Sequence, residues 1–180
     1  MAIVEAEILD NGDIVVKNRS EAKKLYEEGY GLISNDILRL SGVEAAYLVF
    51  KNIVRINYKG QELNIQQLFK LLEKRNPELP LIFTVYQDLR SRGRIVKPGF
   101  RNNILFLHTK GLKKPADKIV YIVGEESTEF SMNELLKWVS EAYKVGKEPV
   151  LAIVDKHGDV TYYEIKHIEL KKKPEEHLAF

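Results

Sequence analysis

The segment Asn76-Pro77-Glu78-Leu79-Pro80 does most to limit what this chain can fold into. Two prolines within four residues stop a helix and favour extended backbone, because each fixes φ, lacks an N–H and restricts the residue before it. The expectation is a border at this point. Residues 1–79 then form a small mixed N-terminal domain, 80–170 a second domain, and 171–180 a charged, proline-containing tail. A length of 180 residues suits one large domain or two small ones, and 44% hydrophobic residues supply the cores.

Patterning on either side of the border differs. In the first part, alternation over Asp13–Lys17 after Asn11-Gly12 predicts a hairpin. Ser20 is placed to cap a helix through Leu25 and Tyr26 that ends at Gly29. Helical spacing of Val43, Ala46, Tyr47 and Phe50 predicts a helix over Leu40–Phe50, and Ile53–Tyr58 alternates as a strand. Asn64, with Gln67 three residues on, caps a third helix whose Leu68, Leu71 and Leu72 face inward.

In the second part, Phe83–Arg92 reads as a helix ended by Gly93. Strands are predicted over Arg94–Lys97, Asn103–His108, Lys118–Val123, Pro149–Asp155 and Val160–Ile168. A helix over Ser131–Tyr143, opened by a Ser131/Glu134 capping box, lies between the third and fourth strands. The class is α/β (α+β), with a mixed, largely antiparallel sheet covered by helices.

Composition removes several chemistries. The absence of cysteine excludes disulfides, thiolate metal sites and thiol catalysis. No apolar run approaches the ~20 residues that span a bilayer, and Met-Ala-Ile-Val-Glu lacks the shape of a signal peptide, so a cytoplasmic location is expected. Phosphate-loop and Gly-x-Ser-x-Gly patterns are missing, which disfavours ATP use and serine hydrolysis. His108, His157, His167 and His177 stand singly and none forms a helical i, i+4 pair.

Two groups of charges call for weighing. Asp155 and Asp159 flank a Gly-containing turn; they either brace the bend through backbone bonds or converge as metal ligands. Arg90, Arg92, Arg94, Lys97 and Arg101, followed by Lys110, Lys113, Lys114 and Lys118, form a run with few acids between them. It reads either as a solvated face or as a phosphate-binding surface, although the whole chain carries only 28 Lys+Arg against 26 Asp+Glu.

The stretch Val85-Tyr86-Gln87-Asp88-Leu89-Arg90-Ser91-Arg92-Gly93-Arg94-Ile95-Val96-Lys97-Pro98-Gly99 resembles the opening of the C-terminal domain of archaeal tRNA-splicing endonucleases. Lys147-x-x-Val150-Leu151-Ala152-Ile153-Val154-Asp155-x-x-Gly158-Asp159-Val160-Thr161-Tyr162-Tyr163 is a second match. Leu38-x-Leu40-x-x-x-Glu44-Ala45-x-Tyr47-Leu48 is similar to the family's N-terminal domain. The resemblance implies a restriction-endonuclease-like C-terminal domain. It also implies a four-unit assembly that cuts precursor tRNA at bulge–helix–bulge sites, without metal or other cofactor. A Tyr takes the ribose 2′-hydroxyl proton, a His protonates the leaving oxygen and a Lys stabilises the phosphorane; the ends are a 2′,3′-cyclic phosphate and a 5′-hydroxyl.

This chain departs from that pattern at two of the three catalytic places. Aligned on Gly111, His108 stands at the Tyr position; aligned on Gly99, Thr109 does. Pro115 replaces the His, while Lys147 is kept. Catalytic chains also tend to carry an Arg one helical stretch before that Lys, where this chain has Ser140. The resemblance therefore implies a structural subunit that supports a catalytic partner in a heterotetramer, with a homodimer open to the isolated chain. The alternatives are an active endoribonuclease using His108 and Lys147, and a basic nucleic-acid-binding module that has lost the complex. By the same resemblance, Asp155 and Asp159 become assembly contacts, displacing the metal reading. Tyr163 and Ile165 on the last strand become either edge-pairing contacts or ordinary core residues.

Overall fold

Turns signalled in the sequence set several strand pairs of the first half. The computed structural model describes residues 3–126, 130–166 and 168. Val4–Ile8 (β1) and Ile14–Val16 (β2) pair antiparallel across Asn11-Gly12, with Gly12 at φ +88°. Ile14, Val15 and Val16 are all buried, so β2 lacks the one-sided alternation its sequence suggests; it lies inside the sheet and is covered on both faces.

The next helix, Arg19–Glu27 (α1), is capped by Asn18 rather than Ser20. Ser20 already lies within the first turn, and the Asn18 side chain accepts from the N–H groups of Ser20 at 3.0 Å and Glu21 at 3.2 Å. Leu32–Ser34 (β3) and Ile37–Leu40 (β4) form a hairpin that local patterning does not predict. Asn35 and Asp36 make its turn with φ of 51° and 64°. Leu40 thus belongs to a strand, and the following helix is Gly42–Phe50 (α2), closed at its start by a reciprocal Ser41/Glu44 capping box.

Val54–Tyr58 (β5) runs parallel to β1 and turns through Lys59-Gly60 into Gln61–Leu63 (β6). Asn64 and Gln67 form the expected capping box on Ile65–Glu73 (α3). The first sheet has the order β3-β4-β2-β1-β5-β6.

The fourth helix, Leu79–Ser91 (α4), starts four residues before Phe83, with Pro80 in its first turn. A proline there forfeits no helical hydrogen bond and arrives with a suitable φ, so it opens this helix instead of delaying it. Then follow Ile95–Pro98 (β7), Ile104–His108 (β8), Lys118–Gly124 (β9), Met132–Lys144 (α5), Glu148–Val154 (β10) and Val160–Glu164 (β11). Ser131 accepts from the Glu134 N–H, the Ser half of the expected capping box. The second sheet, β11-β10-β9-β8-β7, is parallel only between β9 and β10.

This sheet lies between two helices, which explains its nearly continuous apolar strands. Ile119, Tyr121 and Val123 of β9 face α5, where the Tyr121 ring stacks on Trp138 with centroids 4.9 Å apart. Val120 and Ile122 face α4. Helix α4 is buried on both sides: Leu79, Ile82, Val85, Tyr86 and Leu89 join the first half's core to Leu105, Val150 and Ala152 in a single cluster. Across this contact Tyr47 and Tyr86 meet edge to face at 5.5 Å, and Phe83 meets Phe50 and Phe69.

Among the described residues the protein is a mixed α/β chain of two mixed sheets and five helices. None of those helices is long and apolar enough to cross a membrane. Strand β11 stops at Glu164, short of Ile168. His167, His177 and the tail 171–180 lie outside the described residues.

Candidate functional site

Strand register gathers the three positions at which the sequence departs from or keeps the catalytic pattern. Leu107 pairs with Lys118, so His108, the last residue of β8, stands beside Asp117. The parallel pairing of Glu148 with Lys118 brings Lys147 to the same end of the sheet. Backbone bonds from Asp117 N to Leu107 O (3.2 Å) and from Glu148 N to Asp117 O (2.9 Å) lock this corner. The loop 109–117 connects β8 to β9 at this corner and carries Pro115.

The side chains at this corner hold the loop. His108 Nδ1 lies 3.1 Å from Lys114 O and donates to it in the Nδ1–H tautomer, which leaves the lone pair on Nε2. Lys147 Nζ donates to Ala116 O and stands 5.8 Å from the Phe106 ring centroid. Pro115 is exposed between these two carbonyls and offers no proton. Thr109 donates its N–H at 2.7 Å to one oxygen of Asp117 and its hydroxyl to the other. Burial works upward on the Asp117 carboxyl, but those bonds, with the charge of Lys110, hold it below the usual range. Lys118 is spent on Glu148 (2.7 Å) and Glu164 (2.6 Å); against a partial burial that lowers it, these bonds hold its ammonium above the usual value.

The basic run is divided in its use. Arg90 donates to Glu28 O at 3.3 Å, Gly29 O at 2.9 Å and Tyr86 Oη at 3.2 Å, with its guanidinium 4.0 Å above the Tyr30 ring. It thereby ties the end of α4 to the end of α1. Lys97 donates to Gly31 O at 2.8 Å, and burial pulls its ammonium down. Arg92 is paired with Asp88, which also accepts from Tyr162 at 2.7 Å, and Arg101 is paired with Glu141. Arg94 is exposed, with no ion pair among the described residues.

The four residues assigned to subunit contact fall in two settings. Asp155 Oδ1 accepts from His157 N (2.8 Å) and Asp159 N (2.9 Å) inside the turn. Chiefly the bond from Asp159 holds its carboxyl below the usual range. Asp159 is exposed beside it. Tyr163 is 51% exposed on β11, an outer strand of the sheet, while Ile165 packs against the cluster around Trp138. Sequence reasoning missed the Thr109–Asp117 clamp and the Glu148–Lys118–Glu164 bridge, because their partners are separated by strand pairings that local patterning does not contain.

The comparisons with known proteins agree with this architecture. Residues 79–162 match the tRNA intron endonuclease catalytic C-terminal domain, and residues 6–69 match the tRNA intron endonuclease N-terminal domain. The chain is 34% identical over 161 residues to a tRNA-splicing endonuclease of Pyrococcus abyssi, covering 88% of this chain and 94% of that one. It is 33% identical to a Thermococcus onnurineus tRNA-splicing endonuclease, with 88% and 94% covered. A relative from Methanococcoides burtonii is 32% identical over 167 residues; the match spans 92% of this chain but 48% of that protein. The chain belongs to the tRNA-splicing endonuclease family.

Proposed function

We propose that this chain is the structural subunit of a tRNA-splicing endonuclease, supporting a catalytic chain of the same fold that excises introns from precursor tRNA. The carrying observation is the corner of β8, β9 and β10, where Pro115 stands in place of the acid and Lys147 donates to a backbone carbonyl. Cleavage in this family's manner needs one group to take the 2′-hydroxyl proton while the 2′-oxygen attacks phosphorus. A second group must protonate the departing 5′-oxygen, giving a 2′,3′-cyclic phosphate and a 5′-hydroxyl. Proline does neither, and a lone ammonium stabilises charge without supplying both transfers.

Strand β11, which has no strand on its outer side among the described residues, and the exposed Asp159 beside it are the proposed contacts with the partner, in a cytoplasmic heterotetramer. Residues 1–79 and 80–170 are read as its two domains. Mixing the chain with a family member that has Tyr, His and Lys intact tests the proposal. A joint complex by light scattering, and cleavage that survives His108→Ala with Lys147→Ala in this chain, are expected. Loss of cleavage with the complex intact would instead support the second reading, in which the Nε2 lone pair of His108 acts as base beside Lys147.

A further inference from the structure

The loop 109–117, which carries Pro115, bears an excess of positive charge, with Lys110, Lys113 and Lys114 against Asp117. Lys110, Lys113 and Lys114 are all exposed and have no ion pair among the described residues. Arg94 stands one residue beyond the Ile95–His108 pair, at the sheet end from which the loop departs, and is exposed as well. The other cations of the Arg90–Lys118 run are spent on carboxylates, as Arg92, Arg101 and Lys118 are, or on backbone carbonyls, as Arg90 and Lys97 are. The one carboxylate of the loop, Asp117, gives both oxygens to Thr109.

The loop is also fixed in place. His108 holds the carbonyl of Lys114, Lys147 holds that of Ala116, and Lys114 N donates to Gly111 O at 3.3 Å. Leu112 lies against Gly29 at the end of α1, where an added Cβ would meet it at 3.3 Å. A loop so anchored displays its ammonium groups at little further ordering cost on binding. Compact, solvated ammonium charges suit sequence-independent contact with phosphates rather than base reading.

We infer that the loop 109–117, with Arg94 beside it, binds the phosphodiester backbone of RNA. The inference rests on reading the chain as an RNA-processing subunit, and it places the RNA contact on Arg94, Lys110, Lys113 and Lys114 rather than on the whole basic run.

The test uses the full chain and a fluorescent intron-containing hairpin with 2′-deoxy residues at both cleavage positions, which binds without reacting. Anisotropy titrations from 50 to 200 mM KCl compare wild type with Lys110→Ala/Lys113→Ala/Lys114→Ala. A second triple variant, Lys51→Ala/Lys59→Ala/Lys70→Ala, removes the same charge from the first half. Each phosphate contact contributes roughly 0.7–0.9 to the slope of log affinity against log salt, so the loop variant is expected to lose about 2–3 from that slope. Across this range wild type then loses roughly 15–60-fold more affinity than the loop variant, and the second triple variant behaves as wild type. An unchanged slope in the loop variant, or an equal fall in both variants, overturns the inference. It is likewise overturned, in favour of an acidic protein partner, if the loop variant binds RNA normally but no longer joins the catalytic chain. Specific cleavage of an unmodified hairpin by the chain alone would defeat the structural-subunit reading, while the salt slope would still decide separately whether the loop binds RNA.

Discussion

Arg90 separates two roles that a charge run leaves undivided. Its guanidinium makes two bonds to carbonyls at the end of α1, one to Tyr86 Oη, and a cation–π contact at 4.0 Å over Tyr30. A bond from a charged donor is worth about 1.5–3 kcal/mol when well sheltered, and a cation–π contact about 0.5–2 kcal/mol. Arg90 is half-buried and must be ordered to make these contacts, so a net of about 2–4 kcal/mol is expected to be lost in Arg90→Ala. In a chain of this size that lowers Tm by roughly 5–15 °C. Arg90→Lys keeps the charge but not the planar fork, and should recover less than half of the loss. Urea unfolding followed by circular dichroism gives the free energy, and the hairpin titration gives the salt slope. A stable Arg90→Ala variant with a slope reduced by about 1 would make Arg90 a phosphate contact and not a clamp.

Three other substitutions test the scaffold that holds the site. Gly31 adopts φ +60°, its N–H bonds Glu44 and its carbonyl accepts from Lys97, while an added Cβ would come within 2.5 Å of Arg39 O. Gly31→Ala should therefore cost more than the ~1–2 kcal/mol of left-handed backbone alone, measured by urea unfolding. Trp138 is 4% exposed and stacked on Tyr121, so Trp138→Ala should cost about 3–5 kcal/mol by the same assay. The Asp117 carboxyl titrates lower in the folded chain than in the unfolded one, so its stabilisation is complete above its unfolded pKa of about 3.9 and fades as pH falls toward the folded value. Asp117→Asn should reduce stability at neutral pH and flatten its decline below about pH 4, as read from unfolding midpoints across pH.

Some of this was written plainly in the sequence. The Asn64/Gln67 box, the Asn11-Gly12 hairpin and the short apolar strands of the second sheet follow from local chemistry. The β3–β4 hairpin was hidden because its turn uses Asn35-Asp36 without a glycine, and Pro80 misled because a proline that blocks a helix interior fits a first turn. At the site, the identities of His108, Pro115 and Lys147 were legible, but their meeting depended on the β8–β9 and β9–β10 registers. The basic run was the least legible: nothing local tells Arg90, whose partners are Glu28 and Gly29, from Arg94, which has no ion pair among the described residues.

The most direct test is single-turnover cleavage of an end-labelled, intron-containing precursor tRNA by the purified chain alone, in excess over RNA and with EDTA present. A structural subunit leaves the RNA intact, and excision begins only when a chain with Tyr, His and Lys is added. Cuts at the intron–exon junctions by this chain unaided, ending in 2′,3′-cyclic phosphate, would contradict the account.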